Sequence, residues 1–136
     1  MTRILLADDH VGVRHGLRRI LEGEADWEVC AEAADGEAAV ALAARHRPDI
    51  AVLDFVMPGL DGIEAARRIR EILPECEIAI VTMHANDEVR RAAIAAGAKA
   101  CLLKSDADHH LVPAVRALMQ KRPYFQPPPP QDFAAE

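Results

Sequence analysis

Long hydrophobic runs are missing from this sequence. No apolar stretch of the 136 residues approaches the ~20 residues that a membrane-spanning helix needs. The first seven residues lead directly into Asp8 and Asp9, which leaves too little room for the apolar core and cleavage site of a signal peptide. We therefore expect neither a membrane protein nor a secreted one, and we predict a cytoplasmic location.

Cysteine and positive charge are also in short supply. The three cysteines, Cys30, Cys76 and Cys101, show no CxxC spacing, which argues against a disulfide framework or a zinc site. The six histidines show no metal-ligand spacing near the acidic residues. The 22 acidic residues outnumber the 16 Lys and Arg residues, for a net charge of −6. Direct binding of nucleic acid by this segment is therefore not expected, because such binding depends on basic side chains at the phosphates.

What the sequence does contain is a regular alternation of two patterns. Five short apolar runs are typical of strands buried in a parallel sheet: Arg3–Ala7, Trp27–Ala33, Ile50–Leu53, Ile78–Val81 and Ala100–Leu103. Segments with helical spacing follow each of them: Val11–Leu21, Glu37–Arg45, Ile63–Leu73, Asn86–Ala96 and a last one from Asp106 to about Leu118. Gly97 stands where a glycine commonly follows a helix, and Asp106 is placed to cap the last helix. We predict one α/β domain with a doubly wound, five-stranded parallel sheet and helices on both faces. Its expected strand order is the flavodoxin-like 2-1-3-4-5.

Proline marks two places where this pattern is interrupted. Pro113 lies inside the last predicted helix, so either that helix begins near His109 and His110 or it is kinked. Four prolines at 127–130 favour an extended polyproline II segment. The segment is interpreted either as an interdomain linker or as a disordered tail. A ligand for an SH3-like domain is a less favoured third interpretation. We predict a domain over residues 1–121 and a proline-rich linker or tail over residues 122–136.

Polar or charged side chains directly follow four of the five predicted strands: Asp8 and Asp9, Asp54, Thr82 and Lys104. Ligands of open parallel sheets bind at the carboxyl ends of the strands, beside the point where strand order reverses. Asp9 and Asp54 are expected to face each other there, with Thr82 and Lys104 next to them. Taken singly, each such residue is more often a cap or a turn residue, but the agreement of four strand ends favours a site.

These residue types suit phosphoryl chemistry. Neighbouring carboxylates repel unless a proton or a cation lies among them, and carboxylate oxygens on a partly open site suit Mg²⁺. Lys104 adds a fixed positive charge and Thr82 a hydroxyl donor, which together can neutralise and bind phosphoryl oxygens. Asp54 is the favoured nucleophile because it ends the central strand and a Gly/Pro-rich turn follows it.

The residues Arg3 to about Leu118 resemble the receiver domain of two-component response regulators. The resemblance rests on four motifs: Asp8-Asp9-His10; Leu53-Asp54 followed by Met57-Pro58-Gly59-Leu60-Asp61-Gly62; Thr82; and Leu102-Leu103-Lys104-Ser105. The opening motif and the Lys104-Ser105 pair are similar to the NarL/FixJ subfamily. The resemblance implies a CheY-like form of the flavodoxin-like fold. In that subfamily a motif similar to Pro123-Tyr124-Phe125 precedes a LuxR-type helix-turn-helix domain, which this chain does not contain.

The resemblance also implies roles at the site. Asp54 accepts a phosphoryl group from the phosphohistidine of a sensor histidine kinase or from a small phosphodonor. Mg²⁺ is bound by Asp8, Asp9, Asp54 and the backbone carbonyl of Val56. A receiver of this kind catalyses only its own phosphorylation and dephosphorylation, so it is not a conventional turnover enzyme.

Thr82 and Lys104 are implied to sense the aspartyl phosphate and to shift the surface around the fourth and fifth strands and their helices. Homodimerisation on phosphorylation and contact with DNA through the output domain are implied partners. Cys101 and Val56 depart from the family pattern: an aromatic residue is usual in place of Cys101, and Val56 offers the site no polar side chain.

Two alternatives stay open at this point. The chain could be a degenerate receiver that acts as a phosphorylation-independent interaction module, which Cys101 and Val56 motivate. A phosphatase of the haloacid-dehalogenase type is the other alternative, although Asp8-Asp9-His10 lacks the Asp-x-Asp spacing of that class.

Overall fold

A computed structural model describes residues 1–84 and 86–126, in which strands and helices alternate. The strands are β1 (Thr2–Ala7), β2 (Trp27–Ala33), β3 (Ile50–Asp54), β4 (Glu77–Thr82), β5 (Ala100–Leu103) and β6 (Tyr124–Phe125). The helices are α1 (Val11–Glu22), α2 (Gly36–His46), α3 (Gly62–Ile72), α4 (Asp87–Ala95) and α5 (Ala107–Met119), the last preceded by a 3₁₀ turn over Lys104–Asp106. None of the helices in the described residues is long and apolar enough to cross a membrane.

All neighbouring strands pair in parallel, in the order β2-β1-β3-β4-β5-β6. The first five confirm the predicted order. Alternate residues of a strand point to opposite faces, and β1 shows the result: Ile4 and Leu6 belong to one apolar core, Leu5 and Ala7 to the other. Every residue of β3 and β4 is buried. Their central residues, Ile50–Leu53 and Ile78–Val81, therefore form continuous apolar runs in the sequence.

Helices cover both faces of the sheet, as predicted. The core that holds Leu17 and Leu21 of α1 also holds Leu111 and Leu118 of α5, while the other core is formed with residues of α2, α3 and α4. Burying one such leucine side chain contributes about 1.5–3 kcal/mol. The helices packed on both faces therefore hold the central strands in place and fix the positions of their carboxyl ends.

Helix caps set where most helices begin. The side chains of Asp35, Asp61 and Asn86 accept hydrogen bonds from backbone N–H groups three residues later, at 2.8, 2.9 and 2.9 Å. Gly97 follows α4 with a φ of +99°, which confirms its predicted role past the helix end. Asp106 directly precedes α5, as predicted, but its side chain makes no cap hydrogen bond. The prediction that its carboxylate caps the helix is therefore wrong.

Pro113 lies within α5, which begins at Ala107. The alternative in which the helix begins near His109 and His110 is therefore wrong, and a kink at Pro113 stays a prediction. Pro113 has no N–H to offer the carbonyl of His109 one turn earlier. The His109 side chain is exposed, so water can reach this part of the helix.

The sixth strand was not predicted. Tyr124–Phe125 pairs with β5, with Tyr124 opposite Ala100 and Phe125 opposite Cys101. This strand lies in the segment that the sequence assigned to a linker, so part of that segment joins the sheet. The boundary between residues 121 and 122 stays a prediction, and the proline run at 127–130 lies outside the described residues.

Candidate functional site

The carboxyl ends of β1, β3, β4 and β5 bring the five predicted site side chains to one edge of the sheet. A cleft of about 490 Å³ opens there, and its lining includes Asp9, Asp54, Thr82 and Lys104. The parallel strand order produces this convergence, because each strand delivers its last residue to the same edge. The strand-end prediction is thus confirmed as a spatial arrangement.

Lys104 joins two of the acids. Its Nζ lies 2.9 Å from Oδ2 of Asp8 and 3.0 Å from Oδ2 of Asp54. Burial lowers the pKa of Lys104, but the contacts with the two carboxylates outweigh that effect, and the net pKa is raised. Lys104 is therefore a fixed cation at this site.

Asp54 is only 5% exposed at the end of β3. Burial raises its pKa above the ordinary value, and the negative charge of Asp8 adds to this increase. Hydrogen bonds from Lys104 and from the backbone of Val56 act in the opposite direction without cancelling it. The ionised carboxylate of Asp54 thus carries an electrostatic cost that a further cation at the site would relieve.

Asp8 is fully buried, and its two oxygens have different surroundings. Oδ1 accepts a hydrogen bond of 2.8 Å from the backbone N–H of His10. Oδ2 makes no hydrogen bond of acceptable geometry, although the ammonium of Lys104 is 2.9 Å away. The contact is an ion pair, so Oδ2 of Asp8 already has the ammonium of Lys104 as a partner.

His10 belongs to the acidic cluster, which the sequence analysis did not predict. Its Nδ1 lies 3.2 Å from Oδ1 of Asp9 and 3.6 Å from Oδ1 of Asp8. One ligand atom from each of Asp8, Asp9, His10 and Asp54 lies within 4.8 Å of the others. The expectation that the histidines form no metal-ligand group with the carboxylates is therefore wrong for His10. Its position directly after Asp8 and Asp9 in the sequence could have indicated that His10 lies near them.

Thr82 is buried at the end of β4 and lines the cleft. Its Oγ1 accepts a hydrogen bond of 3.2 Å from the backbone N–H of His84. The hydroxyl is therefore bound to its own loop in this structure. Val56 is 68% exposed, and its backbone contribution to the site stays a prediction.

Gly62 explains how the loop after Asp54 closes. Its N–H donates to the carbonyl of Phe55 at 2.9 Å, and a Cβ at this position would lie 2.1 Å from the carbonyl oxygen of Asp54. No residue larger than glycine fits unless the backbone shifts. Gly62 thereby allows α3 to begin directly against the end of β3.

Comparison with known proteins gives a consistent result. A family profile described as the response regulator receiver domain matches residues 4–116. The chain is 41% identical over 126 residues to the transcriptional regulatory protein LiaR of Bacillus subtilis, a match that covers 93% of this chain and 60% of LiaR. It is 42% identical over 123 residues to the oxygen regulatory protein NreC of Staphylococcus epidermidis, covering 90% of this chain and 56% of NreC. The chain thus spans less than two thirds of the length of these relatives.

Solved structures agree with the sequence matches. A LuxR-family two-component response regulator from Aurantimonas sp. SI85-9A1 superposes with a TM-score of 0.89 at 40% identity, covering 100% of this chain and 95% of that one. The signal receiver domain of the putative response regulator NarL from Mycobacterium tuberculosis superposes with a TM-score of 0.84 at 34% identity, covering 89% and 98%.

Proposed function

The chain belongs to the response regulator receiver domain family, as a receiver domain of the NarL/LuxR type, and we propose that it accepts a phosphoryl group on Asp54. The observation that supports this proposal best is the ion-paired arrangement of Asp54, Lys104 and Asp8 at an open cleft. Burial and the neighbouring acid Asp8 raise the pKa of Asp54, and perturbed pKa values of this kind cluster at functional sites.

The proposed reaction transfers a phosphoryl group between two nucleophiles. A carboxylate oxygen of Asp54 attacks phosphorus in line, the bond from phosphorus to the donor nitrogen of a phosphohistidine breaks, and an aspartyl phosphate forms. A small acyl phosphate can replace the phosphohistidine, in which case a phosphorus–oxygen bond breaks. Lys104 holds its positive charge next to the oxygens that gain negative charge.

The donor set fits a divalent cation. Asp8, Asp9 and Asp54 offer carboxylate oxygens that lie within 4.8 Å of one another, and the raised pKa of Asp54 shows that its negative charge is only partly compensated by Lys104. Oxygen ligands on a partly open site favour Mg²⁺. We assign its binding to these three acids and to the backbone carbonyl of Val56. When bound, the ion neutralises charge on the carboxylates and on the phosphoryl oxygens.

Thr82 and Lys104 are the proposed sensors of the aspartyl phosphate. The Thr82 hydroxyl lies 3.4 Å from the carbonyl oxygen of His84, to which it donates. Donating to a phosphoryl oxygen instead would exchange that bond, and the exchange would move the loop that leads into α4. Phosphorylation adds about −1.5 to −2 charge, which attracts the ammonium of Lys104. The surface formed by α4, β5 and α5 is the part of the domain that these two movements reach first.

The partners of the whole protein are proposed on the same basis. We assign a sensor histidine kinase as the phosphodonor, a homodimer as a product of phosphorylation, and DNA contact to a LuxR-type output domain outside this chain. Residues 1–121 form the proposed receiver and residues 122–136 the proposed linker, in the cytoplasm. The degenerate-receiver alternative gains no support from the site, because its acids and its lysine are in place. The family match also leaves no basis for a haloacid-dehalogenase phosphatase.

Intact-mass spectrometry after incubation with acetyl phosphate and Mg²⁺ tests the proposal. We expect one phosphate adduct on the wild-type chain, none on Asp54→Asn, and none when a chelator removes the metal. Asp108→Asn is the matched control, because Asp108 is exposed on α5 and is expected to leave the adduct unchanged. A wild-type chain that gains no adduct, or an Asp54→Asn chain that still does, overturns the proposal.

A further inference from the structure

The segment after α5 is bound to β5 by more than strand pairing. The backbone N–H of Tyr124 donates to the carbonyl of Lys99 at 2.8 Å, and that of Gln126 donates to the carbonyl of Cys101 at 3.1 Å. In a regular parallel ladder the carbonyl of Gln126 would next accept from the N–H of Leu103. Here the side-chain Oε1 of Gln126 accepts that hydrogen bond instead, at 2.9 Å.

This exchange frees the backbone carbonyl of Gln126 for another partner. The carbonyl lies 3.5 Å from Nη2 of Arg90, a residue of α4. Tyr124 makes a second lateral contact, because its hydroxyl lies 2.6 Å from Nδ1 of His110 on α5. Residues 124–126, which we call the exit segment, therefore contact α4, β5 and α5 together.

The side-chain amide of Gln126 also reaches the turn that carries Lys104. Its Nε2 donates to Oδ2 of Asp106 at 2.6 Å, while its Oε1 accepts from Leu103. These two bonds hold Leu103, which precedes Lys104, and Asp106, which ends the turn. Gln126 is only 6% exposed, so water competes weakly for either bond.

Asp106 is available for this contact because it does not cap α5. The residue precedes the helix, where an aspartate commonly accepts from a backbone N–H, but its carboxylate accepts from Gln126 instead. The cap hydrogen bond has thus been exchanged for a link between the exit segment and the Lys104 turn.

Resting on the proposed function, we infer that Gln126 is a positioning residue for Lys104 and that it couples the exit segment to the phosphorylation state of Asp54. The ammonium of Lys104 contacts Asp54 and Asp8, and small displacements of such a group change reaction rates strongly. A phosphoryl group that draws Lys104 inward shifts the turn and strains both bonds of the Gln126 amide. The exit segment, which leads toward the next part of the protein, then changes its attachment to β5.

Coupling of this kind acts in both directions. If Gln126 positions Lys104, removing its amide slows chemistry at Asp54, and occupying Asp54 alters the protection of the exit segment. A residue that only stabilises the fold would show neither effect once the folded population is accounted for. The two directions therefore provide independent readouts.

The first experiment measures phosphorylation by acetyl phosphate on the 136-residue chain with intact-mass spectrometry. Gln126→Ala removes both side-chain bonds, and Gln126→Glu places a carboxylate against that of Asp106. For both variants we expect phosphorylation about 5-fold slower or more, in the range of typical coupling effects, with the adduct still on Asp54. Gln120→Ala is the matched control, because Gln120 is exposed and, among residues 1–84 and 86–126, its side chain bonds only to Arg122.

A rescue variant separates positioning from folding. In Gln126→Glu combined with Asp106→Asn, the amide and the carboxylate exchange places, so that the bond between positions 106 and 126 forms again. We expect this double variant to regain most of the wild-type rate, and thermal unfolding measured alongside reports the folded population. A slow double variant with an intact fold overturns the inference.

The second experiment measures amide hydrogen exchange in the wild-type chain with and without beryllofluoride and Mg²⁺, which mimic the phosphorylated state. We expect exchange at Tyr124, Gln126 and Leu103 to change by about 5-fold or more, and Asp54→Asn to show no change. If the wild-type chain gains no phosphate at all, the proposed function fails. If it gains phosphate while the Gln126 variants react normally and exchange at these amides is constant, only the present inference is overturned.

Discussion

Nζ of Lys104 lies 3.0 Å from Oδ2 of Asp54, although 50 positions separate the two residues in the sequence. Because the lysine holds down the pKa of Asp54, replacing it by a neutral side chain leaves two buried acids side by side. We expect Lys104→Met to raise the pKa of Asp54 further. NMR of the Asp54 carboxyl group, recorded as a function of pH without divalent cations, measures this pKa. Lys99→Met is the control, and an unchanged titration contradicts the assignment.

Stability should respond to pH through Asp54. Its folded-state pKa is raised by burial and by Asp8, so the folded state holds a proton that the unfolded chain releases, and stability falls as pH rises through this window. The window begins near the ordinary aspartate pKa of about 4. We expect Asp54→Asn to be more stable than the wild type at pH 7 without metal, with a smaller difference near pH 4. Urea unfolding at the two pH values measures this, with Asp108→Asn as the control. Equal unfolding free energies of Asp54→Asn and the wild type at pH 7 would contradict this prediction.

Gly62 is expected to be intolerant of even a methyl group. An added Cβ would lie 2.1 Å from the carbonyl oxygen of Asp54, so the start of α3 or the end of β3 must move. We expect Gly62→Ala to lose about 1–3 kcal/mol of unfolding free energy. Gly16→Ala is the contrast: nothing lies within 4 Å of its added Cβ, and a helical alanine should gain about 0.5–1 kcal/mol. Chemical denaturation compares the two, and similar effects would refute the steric argument.

The cysteines should differ in reactivity. Burial raises the pKa of Cys76 to about 12 and also raises the pKa of Cys101, and both are buried. Cys30 is only half-buried, although its pKa is raised as well. We expect one slow thiol reaction with a disulfide reagent in the folded chain, lost in Cys30→Ser, and three reactions in urea. Rapid labelling of Cys76 in the folded chain is incompatible with this structure.

Much of the fold was predictable because its pattern is local. The buried strands read as uninterrupted apolar runs, and Asp61, Asn86 and Gly97 mark helix ends by their own backbone chemistry. The candidate site was predictable for a related reason. Once parallel strands are assumed, their last residues must share an edge, so Asp54 and Lys104 could be placed together without coordinates.

Other features depend on partners that are distant in sequence. The segment at Tyr124–Phe125 has no strand pattern of its own and becomes a strand only because the edge of β5 offers it hydrogen bonds. Asp106 has the position of a cap, but Gln126 competes for its carboxylate. His10 gave no metal-ligand spacing along the chain, and its side chain approaches the acids only through the turn that begins α1.

By itself, the amino-acid sequence determined the succession of strands and helices and which acids, hydroxyl and amine end the strands. Those properties arise from the periodicity of apolar residues and from the chemistry of each residue at its own position. Only the tertiary structure decided that Lys104 pairs with two acids at once, that Gly62 meets the backbone of Asp54, and that Gln126 ties the exit segment to the Lys104 turn. These contacts depend on distances between elements, which packing sets and which no local pattern encodes.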